Sequence, residues 1–533
     1  MPISANAVWN IMESSMGTPG KNGGFFVTGA SGTDYSKQNG AEYALTSITS
    51  PGPGNTINYA YASADMVGNG IFVVSGTNYT LNSWFEITSV IVNTSITCST
   101  NSAGASICIT GVGSNGVMNI GGANLLNSTL VDDMFEASTA GNIYYIKSGT
   151  YTVGEAISLT RDGSTTAPLK IIGYTATYGD ACDFSSRPVL NFGAFYLLVG
   201  VYWIVRNINA TGTSTYVLGM SGYNKFANCK VVNKSTTANR SAILTSSNFF
   251  IQNCEACSYY GHGIYIADSG DLTGNYIHSS VNGVYYSAST ATVTLSHNLI
   301  VDCVNGIHAA AITGSVFVVQ SNTICSPMNA ATSAIGAYGL YIVGTLATMV
   351  VASGNIFADL TTGISTASNA KNSFGGYNNF YGNTTDVVTW VKESTDTAID
   401  PSFQGVSVVS GATATTAASN RLVQSGATFQ TSGVVAGRDT VYIASGTLVT
   451  AGFYGILSVD SETQITVDIT LTANATADKV FAITTGRNFS VGTAMKALTG
   501  PALACEQTVS YAEQGAAQRP EGSSSAPAFA YFG

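Results

Sequence analysis

The apolar positions of this chain fall into short runs that recur at a nearly constant interval. The runs at residues 229–232, 264–266 and 316–319 are rich in Val, Ile, Tyr and Phe, and Gly, Asn or Ser residues bound them. Such runs between turn residues are typical of β-strands. A period mostly in the low twenties, with strands inside each unit, predicts a stacked solenoid. An Asn precedes the run in each unit, at Asn207, Asn228, Asn253, Asn275, Asn298, Asn322, Asn355 and Asn379.

The second half of each unit carries a Gly followed by an aliphatic residue. A leucine-rich repeat has a similar length, but it requires a regular Leu framework and usually a helical turn, and the sequence has neither. The pattern favours a parallel β-helix, whose coils stack about 4.8 Å apart. Because stacking places like residues on one another, we expect the Asn side chains to form an amide ladder. The glycines are Gly263, Gly283, Gly306, Gly339 and Gly363.

The pattern predicts an all-β chain with several segments. A capping-box pattern at Thr129 and Asp132 predicts a short helix near residues 130–139, which would cover the strand edges at one end of the solenoid. The unit that follows Asn322 is longer than the others, and its residues 326–334 predict a projecting loop. The segments are an extended arm at 1–29, a small β domain at 30–123, the capping helix at 124–140, the β-helix at 141–404, an inserted small β domain at 405–487, and a final coil and tail at 488–533.

A second similarity links the two small domains. Residues 75–77, 84–90 and 95–97 match residues 445–447, 453–459 and 464–466, with an offset of 370 residues at the first match and 369 at the other two. An alignment of the two sets of segments therefore needs a gap of only one residue. We therefore expect two related small β domains beside the solenoid, with a shared fold and a possible shared role in docking.

Composition indicates a folded, acidic protein. Charged residues make up 9% of the chain, a bias that could indicate disorder, but 45% are hydrophobic and 10% aromatic, which is enough apolar surface to offset chain entropy. A net charge of -10 argues against a nucleic-acid partner. The longest apolar stretch, residues 195–205, is shorter than the about 20 residues that span a bilayer as a helix, so we expect no membrane insertion. We expect no secretory signal of the usual kind, because the first ten residues have neither a basic region nor a continuous apolar run.

The nine cysteines are expected to be buried free thiols, with disulfides as the alternative. Cys229 and Cys254 each follow a repeated Asn and should stack in adjacent coils. The Cys254–Cys257 spacing lacks a second pair of the kind that zinc requires, so no metal site is predicted there.

Several segments resemble one family. They include GGFFVTGASGTDYSKQ at 23–38, IKSGTYT at 146–152, APLKIIGY at 167–174 and DTAIDPSF at 396–403. The chain resembles right-handed parallel β-helix proteins, pectate-lyase-like in fold, that tailed bacteriophages encode. Similar chains run almost directly from the last of these segments to one like residues 488–496, so residues from about 405 to 487 look inserted. Such chains often end in a phrase with Asp where this chain has Glu513.

The resemblance implies a virion structural protein: a surface spike or fibre, a capsid decoration, or a tail protein. Many similar β-helices are homotrimers. The implied partners are other virion proteins of the capsid or tail, with a host surface glycan as a further possibility. The implied location is the virion, assembled in the host cytoplasm. No cofactor is implied.

An enzymatic role needs paired carboxylates, and the repeats contain few. Asp302 and Asp359 each lie four residues after a repeated Asn, so they should project from equivalent positions two coils apart, at roughly 10 Å. Inverting glycosidases separate their carboxyl groups by about 6.5–9.5 Å, which makes these two the weak catalytic candidates. The alternative is that both are solvated turn residues, and it is favoured because Arg240 is the single Arg nearby.

The four histidines do not share one repeat position. His262 and His308 are near-equivalent, at 9 and 10 residues after an Asn, but a coil separates them, so a metal site is not predicted. Aromatic residues near His262 could instead form a surface on which sugars stack, with half-buried packing as the alternative. The candidate glycan-binding residues are Tyr259, Tyr260, His262, Tyr265, Tyr285 and Tyr286, with Tyr341 nearby.

Two functional hypotheses follow. In the first, the protein is a non-catalytic virion component with a rigid β-helix rod. In the second, it is a tailspike-type protein that binds or depolymerises bacterial surface polysaccharide, as a lyase or a glycoside hydrolase. The sparse carboxylates favour the first.

Overall fold

A computed structural model describes residues 3–5, 7–12, 24–30, 32–35, 43–124, 131–180, 182, 185–287, 291–310, 315–343, 349–366, 372–403, 405–486, 489 and 491. The regular secondary structure of these residues is almost entirely β-strand, as the sequence predicts. They form two compact units, residues 1–233 with 243–254 and residues 234–242 with 255–533. The predicted tail after residue 491 lies outside the described part of the chain.

The strands before residue 255 comprise an N-terminal segment, a small domain and solenoid coils. The N-terminal strands are β1 (Ala7–Ile11) and β2 (Phe25–Val27). The small domain contains β3 (Tyr43–Ile48), β4 (Thr56–Asn58), a 3-10 turn (Ala64–Met66), β5 (Gly70–Thr77), β6 (Trp84–Ile91), β7 (Ser95–Cys98) and β8 (Ser114–Ile120). The helix α1 (Val131–Glu136) and the coil strands follow: β9 (Ile143–Lys147), β10 (Thr150–Thr152), β11 (Ile157–Ser158), β12 (Leu169–Tyr174), β13 (Val189–Gly193), β14 (Leu197–Val201), β15 (Trp203–Arg206), β16 (Asn209–Gly212), β17 (Tyr216–Gly222), β18 (Lys225–Ala227), β19 (Lys230–Asn233), β20 (Ser241–Ser247) and β21 (Phe249–Gln252).

The strands after residue 254 continue the three-strand repeat and then form a barrel. The coil elements are β22 (Glu255–Ser258), β23 (His262–Ile266), β24 (Gly270–Thr273), β25 (Tyr276–His278), β26 (Asn282–Tyr286), β27 (Thr292–Ser296), β28 (Leu299–Val301), β29 (Asn305–Ala309), β30 (Val316–Gln320), β31 (Thr323–Cys325), α2 (Asn329–Thr332), β32 (Tyr338–Ile342), β33 (Met349–Ser353), β34 (Ile356–Ala358), β35 (Thr362–Thr366), β36 (Asn372–Gly376), β37 (Asn379–Tyr381) and β38 (Thr385–Val388). The barrel strands are β39 (Ser407–Ala417), β40 (Arg421–Val423), β41 (Thr440–Ser445), β42 (Gly452–Ser461), β43 (Gln464–Val467) and β44 (Asn474–Thr485).

Each unit contains three solenoid sheets, because each coil gives one strand to each sheet, and the strands pair in parallel except for β2, which is antiparallel to β1. In the first unit, sheet 1 runs β2-β1-β9-β12-β15-β18-β21, sheet 2 runs β10-β13-β16-β19 and sheet 3 contains β11-β14-β17. In the second unit, the corresponding orders are β24-β27-β30-β33-β36, β22-β25-β28-β31-β34-β37 and β23-β26-β29-β32-β35-β38. The predicted parallel β-helix is therefore confirmed.

The N-terminal arm is more regular than expected. β1 pairs in parallel with β9, with Trp9 opposite Tyr144, so the arm supplies a strand of sheet 1. The ring of Trp9 stacks on that of Tyr144 at 5.3 Å. The predicted short helix is present as α1, whose Phe135 lies 4.6 Å from the Tyr144 ring. These aromatic contacts cover the beginning of the coils in the first unit.

The two small domains have the same strand order. In the first, the order is β3-β8-β5-β6-β7-β4, and in the barrel the matching strands follow one another as β39-β44-β41-β42-β43-β40. The barrel closes through β39 and β40, and a single bridge between Thr49 and Asn58 joins the corresponding strands of the first domain. The second strand of each matched hairpin also shifts register at the same place, after Ile87 and after Ile456. This shared bulge and order are the structural counterpart of the sequence similarity.

The Asn repeat consists of two registers rather than one. Asn207, Asn228 and Asn253 hold the first position of the corner between sheets 1 and 2, with φ of 58°, 53° and 52°. Asn adopts this left-handed conformation more readily than most residues do. From Asn275 onward the repeated Asn occupies the second position of the corner. The residue before it occupies the first position and adopts the left-handed conformation. Those residues are Gly274, His297, Ser321, Gly354 and Tyr377.

The later Asn residues form the predicted amide ladder. Asn298 donates its Nδ2 and backbone N–H to Asn322 Oδ1, at 3.0 and 2.9 Å. The same pair of bonds repeats along the ladder as far as Asn378. The assignment of Asn379 to the last position was wrong, because Asn378 accepts from Asn355 and Asn379 lies in β37.

The repeated glycines are required by close approach between coils. A Cβ on Gly283 would lie 2.6 Å from the carbonyl oxygen of Gly306, and one on Gly306 would lie 2.7 Å from that of Gly339. These distances are shorter than any real Cβ contact. The repeated glycines therefore form a column in sheet 3. At each of these positions the backbone of the next coil lies too close for a side chain.

Two smaller predictions have clear outcomes. The cysteines in the described residues are free thiols, and all but Cys182 are buried, as predicted. The loop that was expected to project after Asn322 instead turns inward at its start, because Met328 is buried. The helix α2 in this loop contacts the barrel strand β44.

Candidate functional site

Sheet 3 of the second unit carries two columns of ring and amide side chains on successive coils. Strand pairing places Tyr265 opposite Tyr285, Tyr285 opposite His308, and His308 opposite Tyr341. We call these four residues the aromatic column, and all four are partly exposed. Their ring centroids lie 5.4, 5.2 and 5.0 Å apart along the column. This spacing is close to the separation of stacked coils.

The neighbouring column joins the rings with hydrogen bonds. It contains His262, Asn282, Asn305 and Tyr338, which we call the mixed column. Asn282 Nδ2 donates to His262 Nδ1 at 3.0 Å, and Asn305 Nδ2 donates to Asn282 Oδ1 at 2.8 Å. The two columns are linked, because His262 stacks on Tyr285 and Tyr338 stacks on Tyr341, both at 4.3 Å. The side chains are therefore held in place before any ligand arrives.

The imidazoles of this face are neutral near pH 7. Burial, with a smaller contribution from His308, lowers the pKa of His262 to about 4. Burial also lowers the pKa of His308. A neutral ring nitrogen can accept a hydrogen bond from Asn282, as His262 does. The two columns therefore carry phenol, amide and imidazole groups without a formal charge, and all but the buried His262 and Asn282 are partly exposed.

The structure brings together three of the six predicted glycan-binding residues. His262, Tyr265 and Tyr285 belong to the two columns, whereas Tyr286 is fully buried and stacks on Phe317 at 5.3 Å. Tyr259 is also buried, and its hydroxyl donates to Asp468 of the barrel at 3.0 Å. Tyr260 donates to the Tyr454 hydroxyl of the barrel at 3.2 Å. Burial removes Tyr259 and Tyr286 from any accessible face, and the half-buried Tyr260 is turned to the barrel.

Sequence reasoning missed Asn282, Asn305 and Tyr338. It measured positions from the Asn of each unit, whereas these columns are aligned on the Gly. The mixed column is the residue before each repeated Gly, and the aromatic column is the second residue after it. His262 and His308, which looked equivalent when measured from Asn, therefore belong to different columns.

The two candidate carboxylates occupy equivalent corners two coils apart, as their spacing predicts. Asp302 and Asp359 both have left-handed backbone, with φ of 50° and 58°. Asp302 is 3% exposed, and its Oδ1 accepts from the Ser326 hydroxyl and the Met328 N–H at 3.3 and 3.2 Å. Burial raises the pKa of Asp302 to about 6. Burial, with Asp400, also raises the pKa of Asp359.

The barrel covers Asp302. A cavity of about 20 Å³ separates sheet 2 from the barrel, lined by Tyr276, His278, Ser279, Asp302, Met328, Arg438, Asp439, Thr440, Thr484 and Gly486. Such a volume holds about one water molecule. A sugar ring cannot enter, so Asp302 does not act on a polymer while the barrel is docked.

No metal site is evident in the described part of the chain, where no three His, Cys, Asp or Glu side chains gather as a metal ion would require. The Nδ1 atoms of His262 and His308 already bond to Asn282. Within the same residues, none of the helices is long and apolar enough to cross a membrane.

Comparisons with known proteins add the following. The sequence model of the family described as periplasmic copper-binding protein (NosD) matches residues 205–411, less than half of the chain. Imidazole and thiolate groups are common copper ligands, and the described residues in that range contain no cluster of three His, Cys, Asp or Glu side chains. A comparison with curated proteins gave no match.

Several solved structures are similar to parts of the chain. The pectate lyase Pel9A is 14% identical, with 51% of this chain and 76% of that chain covered and a TM-score of 0.37. An alginate lyase from Paenibacillus is 13% identical, with coverages of 50% and 96% and a TM-score of 0.33. The tailspike protein of E. coli bacteriophage HK620, solved with a pentasaccharide, is 12% identical, with coverages of 64% and 86% and a TM-score of 0.34.

Proposed function

We propose that this protein is a bacteriophage virion component whose β-helix binds a bacterial surface glycan through sheet 3 and does not cleave it. The observation that carries the binding part is the pair of columns on sheet 3, in which partly exposed rings repeat once per coil. The virion part rests on the phage-type segments of the sequence. Attachment to the capsid or the tail, as a spike, fibre or decoration and as a homotrimer, belongs to the same proposal.

The chemistry of the two columns suits a carbohydrate. Tyr rings combine an apolar body with a polar hydroxyl, and sugars likewise combine apolar C–H groups with hydroxyls. Asn305 and His308 add amide and imidazole groups that donate and accept hydrogen bonds. Because the side chains are stacked and bonded to each other, little conformational entropy is lost when a ligand binds. The coil spacing also matches the length of one pyranose residue, so a glycan lying along the axis meets a similar set of groups at each coil.

The alternative is a depolymerase that acts on the same glycan. Cleavage by the usual two-carboxylate mechanisms needs an accessible acid and base. Asp302 is buried beneath the barrel, and among the described residues no Lys or Arg forms an ion pair with Asp359. The arrangement therefore supports binding more directly than cleavage.

The test uses the purified full-length protein and the capsular polysaccharide or lipopolysaccharide of a host strain. We expect binding to weaken about fivefold to tenfold in Tyr285→Ala and in Tyr341→Ala, as expected for the loss of one aromatic contact. Tyr61→Ala is the matched control, since Tyr61 is 71% exposed on the small N-terminal domain. Equal affinity in the wild type and both sheet 3 variants would refute binding at this face.

The same incubation separates binding from cleavage. Reducing ends and unsaturated uronates should stay at background level. Sustained product release that is abolished by Asp302→Asn would replace this proposal with the depolymerase. A density map of intact phage particles tests the virion assignment, and absence of the rod from capsid and tail would refute it.

A further inference from the structure

Bonds between polar side chains form part of the contact between the barrel and the solenoid, beside the packing of the Tyr260 ring and helix α2. Tyr259 and Lys234 both reach Asp468 Oδ2, at 3.0 and 2.8 Å. The hydroxyls of Ser279 and Thr440 lie 2.5 Å apart. Such bonds exchange readily for bonds to water, unlike an apolar core, so a contact of this type is easier to open.

The barrel is also built to move as one body. It has its own apolar core, which includes Phe429, Ile443 and Phe481. Its first and last strands pair with each other, and Ser407 lies opposite Thr485. Both connections to the solenoid therefore leave the barrel at the same point, which is the geometry of a hinge.

Docking of the barrel covers a group of acid and imidazole side chains. His278 Nε2 lies 3.2 Å from Glu255 Oε1, and His278 Nδ1 lies 3.0 Å from Ser279 Oγ. Asp302 faces the same cavity. All four residues are buried. A sealed carboxylate is costly when ionised, because the buried charge loses its hydration.

We propose that the barrel is a hinged lid whose docking over the Glu255–His278–Asp302 cluster is stronger in acid and weaker near neutral pH. Asp302 is the group whose protonation controls the lid. A neutral Asp302 fits the cavity without penalty, whereas an ionised Asp302 favours the opened state, in which water reaches it.

The charged and titratable neighbours of Asp302 leave it without a counter-ion. Arg438 of the barrel is held by Asp439, with nitrogen–oxygen distances of 2.7 and 2.9 Å. His278 is held by Glu255. Asp359 adds a repulsive charge from two coils away, and burial keeps the thiols of Cys303 and Cys325 protonated.

The size of the effect follows from Asp302. Its pKa is about 6 when covered, against an ordinary value of 3.8. By linkage, the native docked state binds the proton more tightly, so docking is lost as pH rises between these two values. A difference of about two pKa units changes the docking equilibrium by at most about 100-fold.

The test is hydroxyl-radical footprinting of the full chain, which reports side-chain accessibility, read at the cavity-lining Tyr276, His278 and Met328 and corrected for intrinsic reactivity at each pH. From about pH 4 to about pH 7 we expect protection there to fall, by up to about 100-fold, in the wild type. In Asp302→Asn this loss of protection with rising pH should disappear. Asp359→Asn is the matched control, because Asp359 occupies the equivalent corner but does not line the cavity, and it should retain most of the fall, since burial is the main cause of the raised Asp302 pKa.

A variant with a disulfide between the solenoid and the barrel tests the proposal even if Asp302→Asn does not fold. Ser279→Cys with Thr440→Cys places two thiols where the hydroxyls are 2.5 Å apart, close to the about 2.05 Å of a disulfide. Oxidised, this variant should stay protected at both pH values, and reduction should restore the pH dependence. Wild-type protection that does not change with pH, or an oxidised variant that behaves like the wild type, overturns the proposal.

Discussion

The ring of His262 stacks on the ring of Tyr285 in the next coil, with centroids 4.3 Å apart and planes 14° from parallel. The contact joins the two columns of sheet 3 and buries His262 to 4% exposure. It therefore connects the stability of the coils to the protonation of one imidazole, and it leads to the first prediction.

Acid should destabilise the protein through His262. The folded pKa is about 4 and the ordinary value is 6.5, so between these values the unfolded chain binds more protons than the native one. Stability that is present above about pH 6.5 is lost as the pH falls toward 4, by up to about 3 kcal/mol. Chemical denaturation at several pH values should show this loss in the wild type and not in His262→Gln. Parallel pH profiles for the two proteins would contradict the prediction.

Gly283→Ala should destabilise the coils. The added Cβ would lie 2.6 Å from the Gly306 carbonyl oxygen, so the backbone of two coils must separate. We expect a loss of about 1–3 kcal/mol in the free energy of unfolding. Gly52→Ala is the control, because a Cβ there meets nothing within 4 Å. Equal unfolding midpoints for the two variants would show that the coils adjust freely.

Asn322→Ala should cost more than an ordinary polar substitution. Asn322 is fully buried, donates to Leu295 O and Asn355 Oδ1, and accepts from Asn298. Removing it leaves several buried groups without partners, each worth about 1–3 kcal/mol. Unfolding in denaturant measures the loss, and Asn58→Ala on the exposed edge of the small domain should change little. A loss below about 1 kcal/mol for Asn322→Ala would be inconsistent with the ladder.

The whole chain should resist heat and detergent. The solenoid has few charges to repel each other and nearly continuous bonds from coil to coil. We expect its unfolding midpoint to lie above the roughly 45–65 °C of ordinary mesophile domains. Calorimetry and migration in detergent gels without heating measure this. A midpoint within the ordinary range would count against the prediction.

Much of the architecture could be predicted from local patterns. The Asn and Gly periods predict stacked coils because a parallel β-helix repeats the same contact at every turn. The matched segments at 75–77 and 445–447 predict two small domains of one kind, and the strand orders agree. The sequence did not predict the change of Asn register after Asn253, because the step from Asn253 to Asn275 falls within the range of the other steps.

The candidate site was only half predictable. His262, Tyr265 and Tyr285 were found because aromatic residues cluster around the Gly repeat. Tyr259 and Tyr260 have the same sequence character, yet the barrel buries Tyr259 through Asp468, which lies 209 residues away. No local period contains information about such a partner.

The sequence by itself thus determined the repeating backbone, since coil stacking depends on short-range periodicity and on residues that tolerate left-handed turns or lack a Cβ. The tertiary structure decided which side chains remain accessible. Sheet 3 keeps Tyr285 and Tyr341 at the surface, while the barrel closes over His278 and Asp302 on sheet 2. Exposure and protonation of these groups depend on which distant segment packs against them, and only the folded chain specifies that contact.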